Sequence, residues 1–598
     1  MFIRKTSHTH NPNGQKYSTY KLVESVRTQR GPRQRTVLNI GADFNLPQQK
    51  WKELADRIES IISGQKSLFP VSDEIEQLAK QYAQKIIRGH GQAIPESGQD
   101  QIPDFQTVDI NSVDNEQVRS VGGESVVLAT IRELELDRKL EALGFARPHI
   151  EAAIGVIAAR LLSPGSERAT HLWLARKTAL DDLMATSFAS LSQDRVYKVS
   201  DMLLKNKADI ETHLRKQETH LFNLDEKILL YDLTNTFFEG SGQYNQKAHF
   251  GVSKEKRNDC PLVTLALVMG ADGFPKKSEV FEGNVSEPGT LEKILQGTTT
   301  NKPIIVADAG IGTRKNIEWM TQQGFDYIVV SRKRLREIPA DIEMVKVRQD
   351  QRRVVHAVIR KNDAGGMDVF CHSSAKEIKE KGIKTRFEKR FEDGLTQIQT
   401  ALSRKGGTKK YEKVLEKIGR LKEKYRRVAR RYEILVEKDD LSENAKNINW
   451  SMKQIDETSG YYMLTTSRVD FNEQQVFDIF TLLLDLEDAF RCMKSELGLR
   501  PVHHQIEYRC DGHLFITVLA YHVLQAIRTK LRRHGITYSW STIRHMLSTH
   551  HRVTTSMRRA DAKMLYIRKT AKPEACHIKI YDALGFPHRP GKISKTIL

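Results

Sequence analysis

Cysteine is scarce in this chain: there are five in 598 residues, at 260, 371, 492, 510 and 576, and no two form a C-x-x-C pair. This excludes a disulfide framework and a cysteine-rich zinc knuckle, and it suits a reducing compartment. Cys371-His372 and Cys576-His577 are single pairs and read as incidental rather than as metal ligands. Long apolar runs are also missing. The first residues, MFIRKTSHTHNPNGQKY, lack the apolar stretch of a signal peptide, and nowhere do about 18 apolar residues run without interruption. The expectation is a soluble, cytoplasmic protein with no membrane partner. Acidic residues are in deficit, with 75 Asp plus Glu against 95 Lys plus Arg, a net charge of +20. Such an excess favours a polyanionic partner, because each phosphate contact releases condensed counterions. Charge alone does not separate a dedicated nucleic-acid binder from a basic protein that merely adheres.

The length predicts several domains, since single cores stop growing well below this size. Residues 1–88 read as a basic β-hairpin (17–41, around a Gly-Pro turn) followed by helices over 47–88. The polar, turn-rich stretch 89–122 reads as a linker. From 123 to 225 the pattern is helical, with IEAAIGVIAARLL apolar nearly all round and therefore buried. This helical region is a candidate DNA-binding domain, and equally a plain packing domain.

From 226 the period changes. KILLYDLTNTFFEG, PLVTLALVMG and FPKKSEVFEG read as strands, the last two joined by an Asp-Gly turn. A helix near 287–296, the strand PIIVAD, the helix NIEWMTQQG and the strand DYIVVSR follow. Three antiparallel strands leading into alternating helix and parallel strand is the order of a ribonuclease H-like core, here 226–332. Residues 333–460 interrupt it with strands and two helices around RKGGTKK. The second helix has an apolar seam expected to run from Tyr411 through Tyr432 to Leu435, facing a stripe from Phe387 to Leu402 as an antiparallel hairpin. The core resumes over 461–525, carrying a single helix over 471–497. Residues 526–598 complete a C-terminal part expected to be helical and basic.

Asp232 and Asp308 each sit near the end of an apolar strand, where ligands gather in sheets of this kind. Glu487 lies on the 471–497 helix among leucines and is expected on its apolar side. Three neighbouring carboxylates repel one another. Two divalent cations would relieve that repulsion and promote phosphoryl transfer, with hard oxygen donors favouring Mg²⁺, and Mn²⁺ able to substitute.

YDLTNTFFEG, GVSKEKRND, EVFEGNVSEPGTL, IIVADAGIGTRKNI and LEDAFRCMKSELGLRPVHH, in this order, resemble bacterial insertion-sequence transposases of the DDE superfamily. The likeness is to the branch with the C-terminal signature Tyr-x2-Arg-x3-Glu-x6-Lys, and it covers about 226–525. The resemblance implies Asp232, Asp308 and Glu487 as the metal-binding catalytic triad and Lys494 as the signature lysine, on the face of Glu487 and able to hold a DNA phosphate. It also implies cut-and-paste movement, terminal inverted repeats and target DNA as partners, and a homodimer in the paired-end complex, associated with the nucleoid. Thr234, of the Asp-x-Thr, joins the DNA-contact candidates. So do Lys254 and Arg257 in GVSKEKRND, and Arg491, one turn beyond Glu487. The signature Tyr and Arg fall on Phe480 and Leu483 instead. A nuclease without strand transfer, or a transposase-derived DNA binder without catalysis, remains the alternative. His503 and His504 read as structural or as phosphate contacts.

Overall fold

The computed structural model describes residues 1–9, 16–28, 31–41, 44–62, 72–89, 92–94, 104–224, 226–253, 257–296, 302–332, 343–350, 353–453 and 458–598. The fold is mixed α/β, in two compact units: Met1–Leu221 with Cys492–Leu598, and Phe222–Arg491.

The second unit is built on a nine-stranded sheet. Strand Leu262–Gly270 is buried at every position, as expected of a continuous apolar run covered on both faces. It pairs antiparallel on one side with Pro275–Glu282 and on the other with Ile228–Phe237. Gly273, at φ +80°, supplies the left-handed residue that the Asp272-Gly273 turn needs. Ile304–Ala307 then lies parallel to Ile228–Phe237, and Asp326–Val330 parallel to Ile304–Ala307. The helices Leu291–Leu295 and Arg314–Gln322 cover one face. There Leu229, Tyr231, Leu233, Ile305, Ala307 and Val329 pack against Leu291, Ile294 and Met320.

The sheet then continues into the interruption. Tyr461–Thr466 pairs antiparallel with Asp326–Val330, and beyond it lie Met367–Ser373, Arg353–Lys361 and Val345–Asp350. Helices Ser374–Ser403 and Tyr411–Lys424 form the expected hairpin, with Phe391 and Leu395 packed against Val414 and Ile418. The seam is shorter than expected. It leaves the helix at Lys424, and Tyr432 and Leu435 lie on a strand, Tyr432–Lys438, paired with Ala445–Met452. Tyr432 and Ile448 join the same core, so the heptad spacing hides a helix-to-strand change. The single helix expected over 471–497 is two, Glu473–Thr481 and Leu483–Ser495, broken at Leu482. The Leu482 amide turns back to Ile479 and the Asp485 amide to Leu482, three residues back rather than four.

In the first unit, strands Phe2–Thr9, Lys16–Thr28 and Gly31–Gly41 form an antiparallel sheet. It packs on helices Trp51–Ile62 and Asp73–Gly89 through Leu22, Leu54, Ile58 and Ile75. The helical region follows as expected, and Ala152 through Leu161 are all buried. Helix Glu507–Arg533 is long and apolar enough to cross a membrane by length and composition, but 94% of its apolar window is buried inside the fold.

Two expectations change here. Of the stretch read as a linker, residues 90–91 and 95–103 lie outside the described residues, while Val108–Ser120 is a strand paired with His551–Arg559. It is an edge strand with mostly polar side chains, so it carries no apolar alternation to read. The C-terminal part is likewise not simply helical: His551–Arg559, Met564–Thr570 and Ile593–Ile597 complete a five-stranded sheet. Basic side chains on those strands mask their period.

Candidate active site

Parallel pairing of the two aspartate strands brings their carboxylates to equivalent positions. Leu230 is opposite Val306 and Tyr231 opposite Ala307; Asp232 is the next residue of its strand, and Asp308 is the residue immediately after the other strand ends. Both are half-buried. Their neighbours on the covered face are Tyr231 and Ala307, so alternation puts both aspartates on the other face. The Leu233 amide donates to Asp232 Oδ1 at 2.7 Å, and the Ile311 amide to Asp308 Oδ1 at 3.2 Å. The loop after Asp308 is held on both sides. The Gly312 amide returns to the Asp308 carbonyl at 3.0 Å, and the Arg332 guanidinium donates to the carbonyls of Ala309 and Gly310.

A further carboxylate, absent from the sequence reading, stands beside Asp308. A Cβ on Gly310 would lie 2.1 Å from Glu287 Oε2 and 3.0 Å from Asp308 Oδ1. Only a residue without a side chain leaves both oxygens their places. The Thr290 hydroxyl donates to the Glu287 carbonyl, and the Tyr231 hydroxyl donates to Thr290 Oγ1, each at 2.6 Å. The Glu287 turn is thereby tied to the strand of Asp232. Burial pushes the Tyr231 phenol well up, and the charges of Asp232 and Glu287 add to it. In sequence, Ser-Glu-Pro reads as an ordinary helix start, which conceals Glu287.

Glu487 departs from expectation. Leu486, Ala489 and Phe490 are buried, whereas Glu487 is on the exposed face of its helix, because the break at Leu482 resets the phase of the second segment. Lys494, two turns on, is half-buried. Arg491 is exposed and pairs with Asp488 at 2.8 Å. Phe480 sits 6.2 Å from the Tyr462 ring, and Leu483 is half-buried. Thr234 is buried, only 4% exposed. Arg257 is engaged twice, donating to Asp259 at 2.7 and 2.8 Å and stacking 4.5 Å from the centre of the Phe237 ring. Lys254 lies outside the described residues.

Among the described residues, ligand atoms of three metal-binding side chains within 4.8 Å of one another occur at Glu167, His504 and His513 and at Glu574, Cys576 and His577. Asp232, Asp308 and Glu487 are not such a group. The first cluster already contains its cation. Arg160 donates to His513 Nδ1 at 2.6 Å, so Nε2–H donates to the Gly498 carbonyl at 3.2 Å. His504 bonds Glu167 at 2.8 Å and is structural. In the second cluster Glu574 caps a helix.

Residues 3–68 match the IS1634 family transposase, N-terminal domain. No curated protein matches the chain. The match supports an insertion-sequence transposase, and with it DNA binding.

Proposed function

We propose that this chain is a DNA transposase of the DDE type, moving an insertion sequence by cut-and-paste on a ribonuclease H-like core. One observation carries the reading: Asp232 and Asp308 occupy matched positions on adjacent parallel strands, within the strand order antiparallel-antiparallel-parallel-parallel. The donor set fits hard divalent cations. Each aspartate accepts a backbone amide on Oδ1, which fixes its carboxylate group, and carboxylate oxygens are the hard donors that such cations prefer. Glu487, on an exposed helix face, supplies the third carboxylate without having to leave a core. Mg²⁺ ions, or Mn²⁺ in their place, would when bound activate the attacking oxygen and stabilise the leaving one. The rest falls to the chain: Asp232, Asp308 and Glu487 hold and orient, Lys494 and Arg491 face phosphate, and Arg332 keeps the Asp308 loop rigid. The nucleophile would be water at the element end, then the freed 3′-hydroxyl at target DNA. Its partners would be terminal inverted repeats, target DNA and a second copy of the chain in a paired-end complex, at the nucleoid in the cytoplasm.

The test is incubation of the purified protein with its own element ends and Mg²⁺, scoring nicks and joined products. Asp308→Ala should abolish both while end binding stays within about threefold, since phosphate contacts and not the carboxylates dominate affinity. Undiminished cleavage by that variant overturns the reading.

A further inference from the structure

The first unit contains a cavity of about 940 Å³, at the upper end of the range for small-molecule sites. Its walls come from strand Gly31–Gly41, helix Gly122–Glu133, the loop after Leu180 and the C-terminal segment near Phe586. Leu38, Leu128 and Phe586 make part of it apolar. Its charges are unbalanced: Lys85, Arg132, Arg552, Arg568 and Lys592 face only Asp181 and Asp182.

The innermost part is a buried triad. Arg552 and Arg568 are 4% and 5% exposed, and both donate to Asp182 Oδ2, at 3.1 Å from Arg552 Nε and 2.7 Å from Arg568 Nη2. Both guanidinium groups also donate to Thr570, Thr554 and the carbonyls of Lys592 and Gln117, and Asp181 adjoins Asp182, so the cavity's excess of positive charge lies with Lys85, Arg132 and Lys592. Nearer the mouth, Arg132 and Lys592 are exposed and free to swing onto a ligand. Burial also pushes the Lys85 ammonium below its ordinary range.

We propose that this cavity binds a nucleotide through its phosphate, the guanidinium groups and ammonium groups taking the charge and the apolar wall taking the base. The shared chemistry is a phosphate ester carrying a planar base, supplied either by a free nucleotide or by a nucleotide of a DNA strand. The site does not depend on the carboxylate triad and stands or falls separately from the catalytic reading.

The experiment is calorimetric titration of the full chain with inorganic phosphate, with deoxyadenosine monophosphate and with an eight-nucleotide single strand. Arg132→Glu and Lys592→Glu alter exposed side chains and so spare folding, which circular dichroism would verify; Lys85→Gln is the milder companion. Each Glu variant should raise the monophosphate Kd by about tenfold, the scale of one charge-assisted contact. Lys563→Glu, an exposed cation outside the cavity, should change it by less than about twofold. Competition by the single strand assigns the site to DNA, and its absence with retained monophosphate binding assigns it to a free nucleotide. Absence of saturable binding by all three probes, or equal loss in Lys563→Glu, overturns the proposal.

Discussion

Two acidic clusters in this molecule are opposites. Around Glu167 the carboxylate is buried and its charge is offset: His504 hydrogen-bonds it at 2.8 Å, the Arg160 guanidinium lies 3.6 Å away, and the neighbouring His513 accepts from Arg160. Around Asp308 the carboxylates are half-buried and crowd one another, with Glu287 brought against Asp308 over a glycine. The nearby Arg332 spends its guanidinium on backbone carbonyls. The first cluster is complete within the fold and therefore reads as structure. The second gathers negative charge at a strand end and remains open to something from outside. Burial and partner type thus tell the two clusters apart, where residue identity alone does not.

That contrast can be broken most forcefully at Glu167. Glu167→Ala should cost about 3–5 kcal/mol, because it strands Arg160 without its carboxylate in the core; urea unfolding would measure it. A loss below about 1 kcal/mol would mean the cluster is not architectural.

Acid should do the same more gently. Burial, with the charge of Arg160 beside it, lowers His513 from 6.5 to about 4. In that window the unfolded chain binds a proton that the folded chain refuses, so stability is full above pH 6.5 and falls as the pH drops towards 4. Glu167, held well below the usual carboxylate range against its burial by the histidines, loses its contribution in the same direction at lower pH. The His513 part of this loss should reach about 3 kcal/mol by pH 4. Denaturant midpoints that stay level across this range would contradict it.

The proposed DNA contact can be tested on the Glu487 helix. Leu483 is half-buried, so an arginine there can pack its stem and put its head into solvent. Leu483→Arg should tighten binding to element ends by about tenfold, near 1.5 kcal/mol, as read by gel shift at matched thermal stability. Weaker binding would place that face away from DNA.

The smallest effect is the most diagnostic. In metal-free buffer Asp308→Asn should leave stability within about 0.5 kcal/mol or raise it slightly, since it relieves repulsion with Glu287. Thermal melting in a chelator checks this, and a large loss would make Asp308 an architectural residue after all.

How much could be read beforehand follows the same physics. The buried strands announced themselves through apolar runs, so the Asp232 and Asp308 strands, their order and their pairing partners were legible. The helical hairpin was legible through its seam, up to Lys424. Illegible were elements whose partners are distant or polar. Strand Val108–Ser120 pairs with a strand some 440 residues away, as at Asn115 and Thr555, and its polar side chains hide the alternation. Glu287 is tied to the Asp232 strand through the Tyr231–Thr290 contact, which no local pattern encodes. Glu487 was read as facing a core because a helix break at one leucine is invisible in a run of them.

The helical hairpin and its two-stranded partner leave the sheet and return to it at one point. The Ser373 amide donates to the Gly460 carbonyl at 3.0 Å, and His372 is opposite Tyr461. Beyond that pairing, the excursion is tied to the sheet at the start of its first helix, where Lys376 donates to the Tyr461 carbonyl and the Gly460 amide donates to Glu380. Closing a longer or shorter excursion there changes the entropy only logarithmically, by about 0.6 kcal/mol per doubling, and the excursion has its own core around Phe391 and Ile448. The junction is therefore a socket. An engineer could exchange the part of the excursion beyond Glu380 for a small domain whose ends meet, provided that the contacts of Lys376 and Glu380 at the junction are kept.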